Sequence, residues 1–303
     1  MKTSSRNINR NRFRGVFVAA VTPMKGNEEI DLPRLASFTD DLIGQGVDGL
    51  VPLGSTGEYY ALSANERERV IQATLEAAAG RVPVVAGANA GSTREVIAYS
   101  RQAEQLGCDG VMLAAPYYSL PRPEELFAHF RAVNNSIGIP IILYNYPGRT
   151  GVDMAPEFIE RLAGLGNLRY VKESTGQMAR ITELLRRCGD RLGVFCGCDT
   201  IALESLMVGA IGWIGGVANV LPKAHAKLYE LTVEQKNFEA AKKLFFQMLP
   251  LLELMEGGGK YTQFVKAACG LAGHPVGPPR RPLLIPTAGE RARLRNALKL
   301  LET

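Results

Sequence analysis

Lys172 stands in the run Tyr170-Val171-Lys172-Glu173-Ser174-Thr175-Gly176, a β-type stretch that carries an amine inward and stops at a glycine-ended polar turn. Burial strips an ammonium of its hydration and favours the neutral, nucleophilic amine. Twenty-eight residues earlier the chain reads Tyr144-Asn145-Tyr146-Pro147-Gly148-Arg149-Thr150-Gly151, a second strand ending in hydroxyls and a turn. One strand–helix repeat is about that long, so the lysine and a tyrosine would face each other from equivalent ends of neighbouring parallel strands. A neutral amine beside a phenol suits imine formation with a 2-oxo acid. The iminium then serves as an electron sink, so an adjacent carbon can lose a proton or break a C–C bond. Tyr144 can move the protons.

Other strand ends offer supporting groups. Gly54-Ser55-Thr56-Gly57-Glu58 brackets two hydroxyls with glycines, and such a turn can seat one carboxylate on its N–H groups. An ordinary polar turn reads the same way. Tyr117-Tyr118 follow the fourth strand and could act or simply pack. Arg149 could grip a carboxylate in bidentate fashion or form a surface ion pair. Lys172 itself could be a structural lysine paired with Glu173 or Asp199. Ile214-Gly215-Gly216 closes the last strand, and its glycine pair could cradle a phosphate or simply leave room for a ligand. Gly257-Gly258-Gly259-Lys260 lacks phosphate-loop spacing and reads as a helix–helix turn.

The elements that must position these groups alternate regularly. Strands are expected over 15–22, 49–53, 83–88, 110–115, 140–145, 168–172, 192–197 and 212–217. Helices are expected over 32–45, 63–80, 92–107, 122–137, 155–165, 177–188, 199–209 and 221–231. Ser63 with Glu66 three residues on marks a capping box. Eight such units predict an α/β fold, a (β/α)8 barrel over 15–232, with reactive groups at the strand C-termini. After 232 the pattern turns wholly helical, near 235–256, 260–272 and 287–301, which predicts a C-terminal helical domain over 233–303.

Bulk properties narrow the chemistry. The 303 residues are 46% hydrophobic and 21% charged, an ordinary globular balance, with no apolar run of the ~18 residues a membrane helix needs. The net charge of +5 matches the five cations Lys2, Arg6, Arg10, Arg12 and Arg14 of a basic tail over 1–14. The remainder is balanced, so nucleic acid is not an expected partner. The tail has no apolar core of a secretory signal, and its Arg- and Ser-rich make-up only weakly resembles a transit peptide; a short disordered extension is expected. Five cysteines without framework spacing predict reduced thiols and a cytoplasmic protein. Cys196-Gly197-Cys198 reads as a buried strand end. Three histidines, none paired at ligand spacing, argue against metal catalysis, so no metal and no cofactor is expected beyond the imine on Lys172.

These motifs, in this order and spacing, resemble the dihydrodipicolinate synthase/N-acetylneuraminate lyase family of Schiff-base aldolases, from about Gly15 to the C-terminus. The resemblance implies a barrel with C-terminal helices and usually a tetramer built from tight dimers. It implies Lys172 as the imine-forming lysine and Tyr144 as its proton partner, with Ser55 and Tyr118 as the other relay hydroxyls. The family's counterpart of Tyr118 commonly reaches into the neighbouring subunit's site. Thr56 and the backbone at Ile214 match positions that bind pyruvate.

Within the family, Arg149 matches the synthase arginine that receives the second substrate's carboxylate. That implies 4-hydroxy-tetrahydrodipicolinate synthesis from pyruvate and aspartate semialdehyde. Ser55, where synthases usually carry threonine, and Tyr146, bulkier than the usual valine or isoleucine, leave sialic or 2-keto-3-deoxy sugar acid cleavage as the alternative. A non-catalytic keto-acid-binding barrel is a more remote one. Lysine-inhibited synthases carry histidine and asparagine near the positions of Ala64, Arg67 and Gly91, so lysine inhibition is not expected.

Overall fold

The computed structural model describes residues 13–301. The expected basic tail lies, up to residue 12, outside the described residues. The strands are β1 (Gly15–Val18), β2 (Gly49–Leu50), β3 (Val85–Gly87), β4 (Gly110–Ala114), β5 (Ile141–Asn145), β6 (Leu168–Glu173), β7 (Gly193–Cys196) and β8 (Gly212–Gly215). All ladders are parallel, in the order β2-β1-β8-β7-β6-β5-β4-β3. Hydrogen bonds from Leu50 N to Pro83 O (3.0 Å) and from Gly87 N to Pro52 O (2.9 Å) join the two ends and close the barrel.

The helices between strands are α1 (Leu32–Gly44), α2 (Ala64–Ala78), α3 (Thr93–Leu106), α4 (Pro123–Asn134), α5 (Pro147–Thr150), α6 (Pro156–Leu162), α7 (Met178–Cys188), α8 (Ala202–Met207) and α9 (Pro222–Tyr229). The C-terminal helical part comprises α10 (Phe238–Gly257), α11 (Tyr261–Leu271) and α12 (Ala288–Lys299). The eight-unit barrel and the helical C-terminus expected from the sequence are both present.

The boundaries show where local pattern and tertiary structure part. The capping box at Ser63 and Glu66 forms as expected, and α2 ends at Ala79 (φ 49°) and Gly80 (φ 71°), both in the left-handed region. The first two strands are shorter than the apolar runs that encode them. Their last residues leave the ladder to become βα loops, and Leu53 already lies at φ 59°. The four-residue α5, led by Pro147, is unexpected. The helix expected over 199–209 is a tight turn at Asp199–Ile201 followed by α8.

Side-chain alternation divides each strand between two environments. Val171 packs outward with the helices, while Tyr170 points into the barrel. Phe13, Phe17, Tyr170 and Phe195 fill the barrel's lower interior with ring centroids 5.0 to 6.0 Å apart. This apolar plug excludes water beneath whatever group the next layer presents. That layer holds Tyr144 and Lys172.

Candidate active site

Tyr144 and Lys172 are partners in the parallel register of β5 and β6. Both are 5% exposed, and the Lys172 Nζ lies 4.3 Å from the Tyr144 ring centroid. Burial pulls the Lys172 ammonium down to about 8, against the opposing pull of Asp199 and Glu256. Among the described residues Lys172 forms no ion pair, so the structural alternative of a paired lysine is not what the fold builds. Glu173 points away, accepting from Asn145 Nδ2 (2.9 Å) and Thr175 N (2.7 Å). Burial, then the neighbouring Tyr146, raises the Tyr144 phenol above its ordinary range, while the Ser55 and Ser174 hydroxyls beside it oppose the rise. The phenol is therefore a proton donor that stays protonated until a stronger base forms next to it.

Ser55, Thr56, Arg149 and Ile214 line the same cavity as Lys172 and Tyr144. Thr56 is buried, and its Oγ1 would lie 3.0 Å from a Cβ at Gly216. The same Cβ would meet the Tyr261 ring at 2.5 Å, so only glycine fits there. Ile214 is fully buried. Arg149 is carried on α5 and exposed; among the described residues it has no acidic partner, so the surface-pair alternative does not form. Tyr118 is set apart. It is 96% exposed at φ 50° and is not among the residues lining its own chain's cavity.

The Ser55–Thr56 turn is held from below by a contact the sequence did not reveal. Glu58, at φ 57°, accepts from Lys266 Nζ of α11 at 2.6 Å and from Arg280 N at 2.7 Å. Lys266 also donates to Pro278 O at 2.8 Å, and both charged side chains are 0–1% exposed. The helical C-terminus thus fastens the turn that presents the two hydroxyls. Fully satisfied, such a pair locks geometry; half-removed, it leaves an uncompensated buried charge.

A second group missed in sequence surrounds Asp199. Its carboxylate accepts from Trp213 Nε1 at 2.9 Å and from the Tyr261 hydroxyl, which in turn accepts from Gly216 N at 2.9 Å. Burial, with Glu256 nearby, raises the Asp199 carboxyl above its ordinary value. Glu256, Tyr261 and Thr262 reach the cavity from the C-terminal helices. No local motif announces them, because their partners lie more than 40 residues away in the chain (Asp199 to Glu256 |i−j|=57, Gly216 to Tyr261 |i−j|=45). Ser174 also lines the cavity, with its buried Oγ beside the Tyr144 phenol. It sits inside the Tyr170–Gly176 run, but nothing in that run announces its place beside Tyr144.

An adjoining cavity of about 290 Å³ shares Ser55, Tyr144, Tyr146 and Arg149 and adds Tyr59, Tyr60 and Tyr117. Tyr146 stacks on Tyr144 with centroids 5.7 Å apart. Among the described residues no cluster of three or more His, Cys, Asp or Glu is placed to hold a metal. Cys196 and Cys198 are buried at the end of β7, as expected, and burial pushes their thiols up to about 12 and about 11. Arg67 is buried; it donates to Gly87 O and Asn89 O, each at 3.1 Å, and lies 3.7 Å over the Tyr99 ring.

Comparison with known proteins bears on this site. Residues 12–301 match the Dihydrodipicolinate synthetase family. The 4-hydroxy-tetrahydrodipicolinate synthase of Halorhodospira halophila is 41% identical, with 95% of this chain and 96% of that protein covered. The crystal structure of a chloride-inhibited dihydrodipicolinate synthase from Acinetobacter baumannii, complexed with pyruvate, superposes with a TM-score of 0.90 at 34% identity, covering 95% of this chain and 99% of that one. The synthase from Cyanidioschyzon merolae with lysine bound gives a TM-score of 0.92 at 31% identity, over 96% and 98%. Family match, identity over nearly the whole length and the shared barrel agree: the chain belongs to the dihydrodipicolinate synthetase family and is an enzyme of its class I aldolase, lyase type.

Proposed function

We propose that the chain condenses pyruvate with an aldehyde through an imine on Lys172, and that its reaction is 4-hydroxy-tetrahydrodipicolinate synthesis with aspartate semialdehyde as the second substrate. The observation that carries this reading is the neutral-prone Lys172 amine against Tyr144, with Arg149 at the rim of the same cavity.

The neutral amine attacks C2 of pyruvate, and the carbinolamine loses water to give the iminium. Ser55 and Thr56 hold the carboxylate. Tyr144 protonates the departing hydroxyl of the carbinolamine, and its phenolate then takes a C3 proton to give the enamine, whose C3 attacks the aldehyde carbon while the restored Tyr144 hydroxyl protonates the new alkoxide. The amino group carried by the second substrate then attacks C2 and displaces Lys172, which leaves as the free amine and closes the ring. No metal and no cofactor enters these steps. Ile214 supplies cavity wall and backbone for pyruvate, and Arg149 receives the second carboxylate. Tyr118 completes the relay from a neighbouring subunit, within a homotetramer of two tight dimers. A cytoplasmic setting goes with the buried thiols and with the lack of a described helix long and apolar enough to cross a membrane.

Borohydride reduction in the presence of pyruvate tests the core of the reading. The expected result is a mass gain on the peptide containing Lys172, lost in Lys172→Ala; an unmodified peptide overturns it. A panel of aspartate semialdehyde, N-acetylmannosamine, glyoxylate and glyceraldehyde with pyruvate tests the partner. Tyr146, stacked on Tyr144, favours one second reading, cleavage of a 2-keto-3-deoxy sugar acid, for which glyceraldehyde would be the preferred aldehyde.

A further inference from the structure

Glu256 is a cavity group that the imine chemistry leaves unused. It is the penultimate residue of α10 and lines the cavity that holds Lys172 and Arg149. Its Oε1 accepts from Asp199 N at 3.0 Å, which anchors the carboxylate beside the β7 loop. Among the described residues it forms no ion pair. Arg149 comes from a different part of the rim, on α5 after β5. Besides Lys172, whose ammonium Glu256 favours, the cavity presents the cation Arg149 and the anchored anion Glu256, neither of them in a salt bridge among the described residues.

We propose that Glu256 receives the ammonium group of the second substrate while Arg149 takes its carboxylate. The enzyme then selects a zwitterionic amino-acid aldehyde over one that bears only a carboxylate or hydroxyls. This rests on the reading that an aldehyde joins pyruvate at Lys172, and it makes Glu256 a specificity-determining residue.

The test compares aspartate semialdehyde with succinic semialdehyde, the same chain without its amino group, by the rate of pyruvate consumption; with succinic semialdehyde, water attacks C2 of the iminium adduct and frees Lys172 with the open-chain aldol product. Glu256→Gln keeps the shape and an oxygen for Asp199 N while removing the charge. Its effect on the Lys172 amine is common to both aldehydes and cancels in their ratio. The expected result is a KM increase for aspartate semialdehyde about tenfold greater than any increase for succinic semialdehyde, in line with loss of a charged hydrogen bond. Borohydride trapping of pyruvate on the variant verifies that the site is still assembled. Equal effects on the two aldehydes, or no effect on either, overturn the subsite. A wild-type enzyme that traps pyruvate but does not consume aspartate semialdehyde overturns the synthase reading instead, so the two failures are distinct.

Discussion

Tyr144 and Lys172 are register partners on adjacent parallel strands, and the amine rests 4.3 Å from the centre of the phenol ring. Register pairing sets both side chains on the barrel's inner face, because strand side chains alternate with period two. The aromatic layer beneath them leaves the amine poorly hydrated. The two residues thus receive their chemical properties from the same piece of geometry.

The first prediction concerns pH. Burial lowers the Lys172 amine to about 8, so its neutral fraction falls about tenfold per unit below that value. The initial rate of pyruvate adduct formation should rise with pH and level off near 8, where an ordinary lysine would level off near 10.5. A profile still climbing steeply at pH 10 would show that Lys172 is not desolvated in solution.

Tyr144→Phe should separate binding from proton transfer. The ring and its contact with Lys172 remain, while the hydroxyl goes. Condensation should slow by about 10²- to 10⁴-fold, with pyruvate still trappable by borohydride on long incubation. Steady-state turnover and mass spectrometry of the trapped peptide check this pair of outcomes.

Lys266→Met should cost about 3–5 kcal/mol, because Glu58 keeps the Arg280 N–H but is left as a buried charge without its ion-pair partner. Thermal unfolding should fall by on the order of 10 °C. The double change Lys266→Met with Glu58→Gln should recover part of that loss and leave a raised KM for pyruvate, since the Ser55–Thr56 turn loses its fastening. A single variant with wild-type melting would contradict the ion pair's role.

Tyr118 is exposed and is not among the residues lining its own chain's cavity. Completion of the relay by a partner predicts complementation between two defective chains. Tyr118→Phe subunits keep Lys172, and Lys172→Ala subunits keep Tyr118. Mixing them after dissociation should raise activity several-fold above the Tyr118→Phe protein alone. Activity that only averages on mixing would assign the tyrosine no role across subunits.

Lysine should not inhibit. Arg67 holds a cation against Tyr99 and the carbonyls of Gly87 and Asn89, where the lysine-inhibited relatives are expected to offer neutral polar groups. Such a fixed charge repels a second ammonium. Titration of lysine against the condensation rate should give no inhibition below about millimolar concentrations, on the order expected for unspecific binding.

Much of this protein is written in local pattern. Apolar runs alternating with capped amphipathic segments determine the barrel units, and the types of Lys172, Tyr144, Ser55, Thr56 and Arg149 suggest the imine chemistry proposed for the site. These features are legible because a strand's period and a motif's spacing involve only neighbours in the chain. Tertiary structure alone decided the rest. It brought Glu256, Tyr261 and Lys266 from the C-terminal helices to the strand ends, contacts bridging 45 to 208 residues. It left Tyr118 outside its own cavity, and it set the hydration, and so the nucleophilicity, of Lys172. Long-range placement and burial depend on how the layers close over one another, and no stretch of sequence carries that by itself.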